Sequence, residues 1–247
     1  MSFSDRLRVV RPGYPLSVGR TLAVYSGLMV ALLLAALDQT IVATSLPRIV
    51  TDIGGITQYP WVFTAYMLTS TVTVPLYGRL GDVYGRRPLM LGAVVVFLVG
   101  SALCGLSQNM TELVIFRGIQ GLGAGGLFPL SLAVIGAIVP PRERGRWQGL
   151  IGSVFAASSI LGPAMGGFIV DNASWRWIFL VNLPLGVIAI LLMFRIQHRP
   201  GVRHEQWSFD TPGLLYFISF IAPVLIALEQ LRHFDPNTAP QVIGLVA

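Results

Sequence analysis

Two charged residues lie where a chain this apolar should carry none. Asp38 is the only charge between Arg20 and Arg48, and Arg117 is the only one between Glu112 and Arg142. Each interrupts a stretch otherwise long and apolar enough to cross a bilayer. A charge near the bilayer centre costs roughly 2.5–3.5 kcal/mol even on a lenient insertion scale, so each needs a partner or a water-filled cavity. An acid and a base in one dry core can pair, and the acid can exchange a proton. Desolvation favours the neutral form of a carboxyl group, whereas a neighbouring guanidinium favours the ionised one. A site that moves between those environments can take a proton on one side and release it on the other, or trade it for a cationic ligand. Gln120 follows Arg117 by three residues and shares its helical face. Tyr66, deep in another apolar stretch, is a candidate for lining a cavity.

The elements that must position these residues follow from the gaps between charges. Of 247 residues, 54% are hydrophobic and 11% charged, with a mean hydropathy of +0.71, where a soluble domain is about 25% charged. Seven spans result: Arg20 to Arg48, 53–78, 88–111, Glu112 to Arg142, 147–170, 177–194 and 211–228. An eighth begins at Gln241, which reads as part of a longer protein. Runs of this length are helices, because lipid cannot satisfy an open backbone. The fold class expected is an all-α polytopic membrane protein. Its expected parts are an N-terminal segment (1–20), a six-helix bundle (21–194), a linker (195–210) and additional spans (211–247).

Charge distribution orients the chain. All 17 basic residues are arginine, and the net charge is +6. With the N-terminus in the cytoplasm, 13 arginines fall inside, three outside (Arg48, Arg176 and Arg232) and one, Arg117, within a span. This positive-inside bias points to a multi-pass inner-membrane protein with anionic lipids as partners, rather than to nucleic acid. Cys104 is alone, and His198, His204 and His233 lack ligand spacing, so no metal site is expected. With no paired intramembrane histidines and no activated nucleophile, the sequence does not read as an enzyme.

Two further patterns concern movement. The segment GRLGDVYGRRP, Gly78 to Pro88, sets Arg79, Asp82, Arg86 and Arg87 on a glycine-rich turn between two uncharged runs. Ser158, Gly162 and Gly166 recur every four residues, as do Gly121 and Gly125, a spacing that lets helices approach closely. Pro163 removes a backbone donor within the first set. A weak echo, Gly78-x3-Asp82-x3-Arg86 against Gly167-x3-Asp171-x4-Arg176, hints that spans 1–3 and 4–6 are inverted repeats, a transporter signature.

These segments resemble the major facilitator superfamily, in particular its fourteen-span drug:proton antiporter branch. The matching stretches are LDQTIVATSLPRI (37–49), GRLGDVYGRRP (78–88), RGIQGLGAG (117–125), LGPAMGG (161–167) and WRWIFLVNLPLG (175–186), in the order expected of that branch. The resemblance implies a bundle of two inverted three-helix repeats with an inserted span. It implies proton-coupled export of hydrophobic or amphipathic molecules, some of them cationic, by alternating access. A proton gradient would be the energy source, with no cofactor. It assigns proton coupling to Asp38 and Arg117. It assigns a conformational latch to Asp82 and Arg86 beside Arg87, with Gly78 and Gly85 permitting the turn. Sealing and bending of span 5 fall to Gly162, Pro163, Gly166 and Gly167. Protons and a small-molecule substrate are the partners implied, with room for other components of an efflux assembly. The alternatives are a proton symporter for a nutrient, against which the GPxxGG pattern at 162–167 argues, and a non-transporting receptor or assembly partner.

Overall fold

A computed structural model describes residues 18–139, 142, 144–194 and 211–232. The N-terminal residues 1–17, the linker at 195–210 and the start of an eighth span at Gln241 lie outside the described residues. The described chain is helical: α1 (Val18–Ile53), α2 (Tyr59–Tyr84), α3 (Arg86–Leu106), α4 (Met110–Ile138), α5 (Arg144–Asn172), α6 (Trp177–Leu180), α7 (Asn182–Met193) and α8 (Thr211–Arg232). Four of these, α1, α3, α4 and α5, are long and apolar enough to cross a membrane. The 26 residues of α2 extend about 39 Å, also enough to span. Its composition is diluted by threonines whose hydroxyls return to their own helix. Thr69 donates to the Ala65 carbonyl (2.8 Å) and Thr73 to that of Thr69 (2.8 Å), which makes them nearly silent as polar groups.

The sixth span is broken. Val181 forms a turn between α6 and α7, and Pro184 lacks the N–H that the Leu180 carbonyl would receive in a continuous helix. The turn expected at 78–88 is much shorter than its glycines imply. Helix α2 runs on through Gly78 to Tyr84, and only Gly85, at φ 91°, separates it from α3. That left-handed backbone is why position 85 is glycine. Gly78 faces open space inside a helix, so it does not form the turn. A helical glycine costs only about 1 kcal/mol, and packing on α4 holds the last turns of α2 in place.

Two helices are central. Helix α1 packs against α5 and α7, and α4 packs against α2 and α3. Exchanging the first three spans with the next three maps these pairs onto each other, as a repeat built twice requires. The echo in the loops does not extend to their ion pairs. Asp82 meets Arg86 at 3.3 Å, but Arg176 reaches Asp52 at the end of α1 (3.5 Å) instead of serving Asp171.

Close approach depends on small residues. A Cβ at Gly121 or Gly125 on α4 would collide with Thr69 or Thr73 and with the α2 backbone. A Cβ at Gly162 or Gly166 on α5 would collide with Thr40 or Thr44 on α1. The Thr40 hydroxyl lies 3.1 Å from the Ser158 carbonyl across that seam. Gly167 faces open space and Pro163 is exposed, so neither joins this contact.

The seam at Gly125 is therefore intolerant of one carbon. Gly125→Ala should lower unfolding stability by about 1–3 kcal/mol, read as an earlier thermal midpoint in detergent. Gly92→Ala, where a Cβ meets nothing, should not lower it.

Candidate functional site

Apolar stripes at helical spacing carry the buried polar groups inward. On α1, Leu34, Asp38, Ile41 and Ser45 form one buried face. On α4 the stripe is Leu113, Arg117, Gln120 and Leu127, and on α3 it is Val94, Phe97, Ser101 and Cys104. Where the three meet the first residue of α7, Asn182, they enclose a polar knot. Asp38, Ser101, Arg117, Gln120 and Asn182 are each 0% exposed.

The carboxylate is gripped from three sides. Arg117 Nη1 donates to Asp38 Oδ2 at 2.5 Å. Gln120 Nε2 and Asn182 Nδ2 both donate to Oδ1, at 2.8 and 2.9 Å. Arg117 Nη1 also donates to Gln120 Oε1 (2.8 Å), and its Nε to the Val62 carbonyl (3.3 Å). Tyr66 lies under the guanidinium, with Cζ 4.1 Å from the ring centroid, a cation–π arrangement. Two buried polar atoms in the knot, Arg117 Nη2 and Asn182 Oδ1, meet no partner among the described residues.

Next to the knot lies a cavity of about 290 Å³ between α1, α2, α4, α5 and α8. Its walls are mainly apolar and include Phe128, Phe155 and Phe217, with Gln39, Tyr66 and Ser70 among the polar groups. None of its lining residues is charged. Tyr66 belongs to both places: it lines the cavity, and its ring carries Arg117. Asp38 is not among the residues that line the cavity, whereas Tyr66, which contacts its partner Arg117, is.

The structure brings Asp38, Arg117, Gln120 and Tyr66 together and sets the other candidates apart. Asp82 is exposed on the opposite side of Gly85, paired with Arg86. Arg86 also donates to the Ala133 carbonyl on α4, and Arg87 to that of Phe194 (2.9 Å) after α7. Arg86 thereby ties the α2–α3 junction to α4, and Arg87 ties it to the end of α7. Gly162 and Gly166 sit on the α1–α5 seam against Thr40 and Thr44 and make no hydrogen bond to the knot.

Asn182 and Ser101 were missed. A readable signal existed for Asn182: it is the only amide in the otherwise apolar stretch 178–193. Ser101 gave none, because a serine in a membrane helix commonly bonds its own backbone.

An all-α membrane bundle with its charges sealed at a crossing of central helices defines a multi-pass membrane protein of the transporter type. Residues 28–238 match the Major Facilitator Superfamily, and the chain belongs to that family. The chain is 42% identical over 232 residues to the "Multidrug transporter protein MdtP" of Bacillus subtilis, covering 92% of this chain and 42% of that protein. It is 39% identical to the "Multidrug resistance protein 3" of the same organism, covering 89% of this chain and 43% of the relative. It is also 39% identical to the "Efflux pump FUS6" of Gibberella fujikuroi, covering 87% and 40%. The chain thus spans less than half the length of these curated relatives. Among solved structures, a D-xylose-proton symporter superposes with a TM-score of 0.64 at 19% identity, covering 73% of this chain and 49% of the symporter. The human organic anion transporter MFSD10 gives 0.60 at 17%, covering 91% and 68%. At such identities the likeness is one of fold.

Removing one partner of a buried ion pair strands the other charge, at a cost of about 3–5 kcal/mol. Arg117→Met should therefore destabilise the bundle by that order. Adding Asp38→Asn to Arg117→Met should recover a large part of the loss, measured by denaturant unfolding in detergent.

Proposed function

We propose that the complete transporter carrying this chain exports hydrophobic or amphipathic small molecules, cations among them, in exchange for protons. The observation that carries this reading is the sealed Asp38–Arg117 pair whose guanidinium rests on Tyr66, a wall residue of an apolar cavity. A proton arriving at Asp38 from outside neutralises the carboxylate and frees Arg117. An unpaired guanidinium is not tolerated in a dry core, so Arg117 must move toward another partner, and the Tyr66 ring beneath it shifts with it against whatever occupies the cavity. Release of the proton to the cytoplasm restores the pair. Drug and proton thus compete through the Tyr66 ring without sharing an atom.

The multidrug and efflux names of the relatives support this substrate class. So does the cavity wall. A sugar site needs many fixed hydroxyl partners, whereas three phenylalanines and few polar groups suit flat apolar ligands. An inner-membrane location with a cytoplasmic N-terminus follows from the arginine bias, and the exposed basic loops then face anionic lipid. On that orientation the Asp82–Arg86 pair is a cytoplasmic latch on the transport cycle, remote from the cavity.

In proteoliposomes, Asp38→Asn should abolish drug movement driven by an imposed pH gradient; full proton-driven transport by that variant would defeat the reading. Asp82→Asn should change the turnover rate while leaving the order of preference among drugs intact, measured by competition between lipophilic cations.

A further inference from the structure

Resting on that reading, the hydrogen-bond directions around Asp38 assign a role to Asn182. Ser101 Oγ lies 2.9 Å from the Phe179 carbonyl, which can only accept, so the serine proton is committed there. Ser101 Oγ must then accept from its other neighbour, Asn182 Nδ2, also at 2.9 Å. The same Nδ2 donates to Asp38 Oδ1. The amide orientation is thus set twice, by an ionised carboxylate and by a serine with no proton to spare. Gln120 is set likewise, with Oε1 toward Arg117 and Nε2 toward Asp38.

Asp38 Oδ1 therefore faces two N–H donors, and Oδ2 faces only Arg117 Nη1. A proton on Oδ1 would point at amide hydrogens. Oδ2 keeps one lone pair open beside Arg117 Nη1, and a proton there turns the guanidinium's acceptor into a weakly accepting hydroxyl, whereas a proton on Oδ1 leaves Oδ2 as a carbonyl that still holds Arg117. We propose that Asn182 is a positioning residue that steers the incoming proton to Asp38 Oδ2, so that protonation weakens the very oxygen that holds Arg117. Ser101 is what holds Asn182 to this task. The amide carries an idle acceptor, Oδ1, which would welcome a proton on Asp38 Oδ1 if the amide turned over. Turning would point that acceptor at Ser101 Oγ, which has no proton to give it while bound to Phe179. The other titratable or charged groups facing the carboxylate are Arg117 from α4, Tyr66 from α2 and Cys104 from α3. The thiol lies 3.7 Å from Gln120 Oε1 and makes no bond to Asp38.

The test counts protons released per tetraphenylphosphonium bound by the complete transporter in detergent, a ratio that does not depend on how much protein is folded. Losing one hydrogen bond to a charged group weakens the choice between the two oxygens by about tenfold or more. Asn182→Ala should therefore cut the ratio to about half or less, since Asp38 can then hold its proton on Oδ1 with Arg117 still in place. Ser101→Ala, which removes a single buried oxygen and frees the amide to turn, should act in the same direction. In both variants the infrared carbonyl band of protonated Asp38, identified by its loss in Asp38→Asn, should move from its wild-type position. A wild-type ratio or an unmoved band in both variants overturns the role of Asn182. Proton release that persists in Asp38→Asn defeats instead the reading of Asp38 as the coupling acid.

Discussion

A carboxylate and a guanidinium with no access to water set the terms for the rest of this bundle. Neither ion is tolerable alone in a dry core, and their mutual attraction offsets the loss of hydration only where further hydrogen bonds complete the shell. Asp38 and Arg117 must therefore meet at fixed geometry, which requires α1 and α4 to cross at one depth. The amides of Gln120 and Asn182 and the ring of Tyr66 are the remaining pieces of that shell. Because the two ions stand on the two central helices, anything that changes their attraction acts on the packing of the whole bundle.

The glycine seams make such a change transmissible. Gly121 and Gly125 bring α4 onto the α2 backbone beside Tyr66, and Gly162 and Gly166 bring α5 onto α1 just beyond Asp38. Seams built on backbone and threonine hydroxyls have no long side chains to absorb a displacement. A shift of α1 or α4 would be passed to α5 or α2, which wall the cavity together with them and α8. The break between α6 and α7 places Asn182 where the backbone already departs from a regular helix, so a side chain there reaches the core without straining one.

The end of the bundle at the α2–α3 junction follows a different rule. Arg86 and Arg87 stand at the start of α3 and give their guanidinium hydrogens to carbonyls on or just after neighbouring helices. The Phe194 carbonyl lies at the end of α7, where the helix dipole is negative and suits the Arg87 cation. The Asp82–Arg86 pair on top of this is exposed and screened, so its contribution to stability is small. That makes it suitable for being made and broken during a cycle.

Much of this was written in the sequence. Long uncharged runs between arginines specify helices and their number because hydrocarbon admits little else. Asp38 and Arg117 announce themselves because charge in those runs is costly, and an acid and a base in one dry core make a pair foreseeable. Gln120 follows from a spacing of three on one helix. The tertiary structure alone decided the rest, because hydrogen-bond partners across helices depend on rotation and crossing angle, which no single helix encodes. It put Asn182 and Ser101 into the shell and inserted Tyr66 between the ion pair and the cavity. It also reduced the turn at 78–88 to Gly85: helix formation near Gly78 was decided by packing on α4, which outweighs a glycine's modest reluctance to be helical.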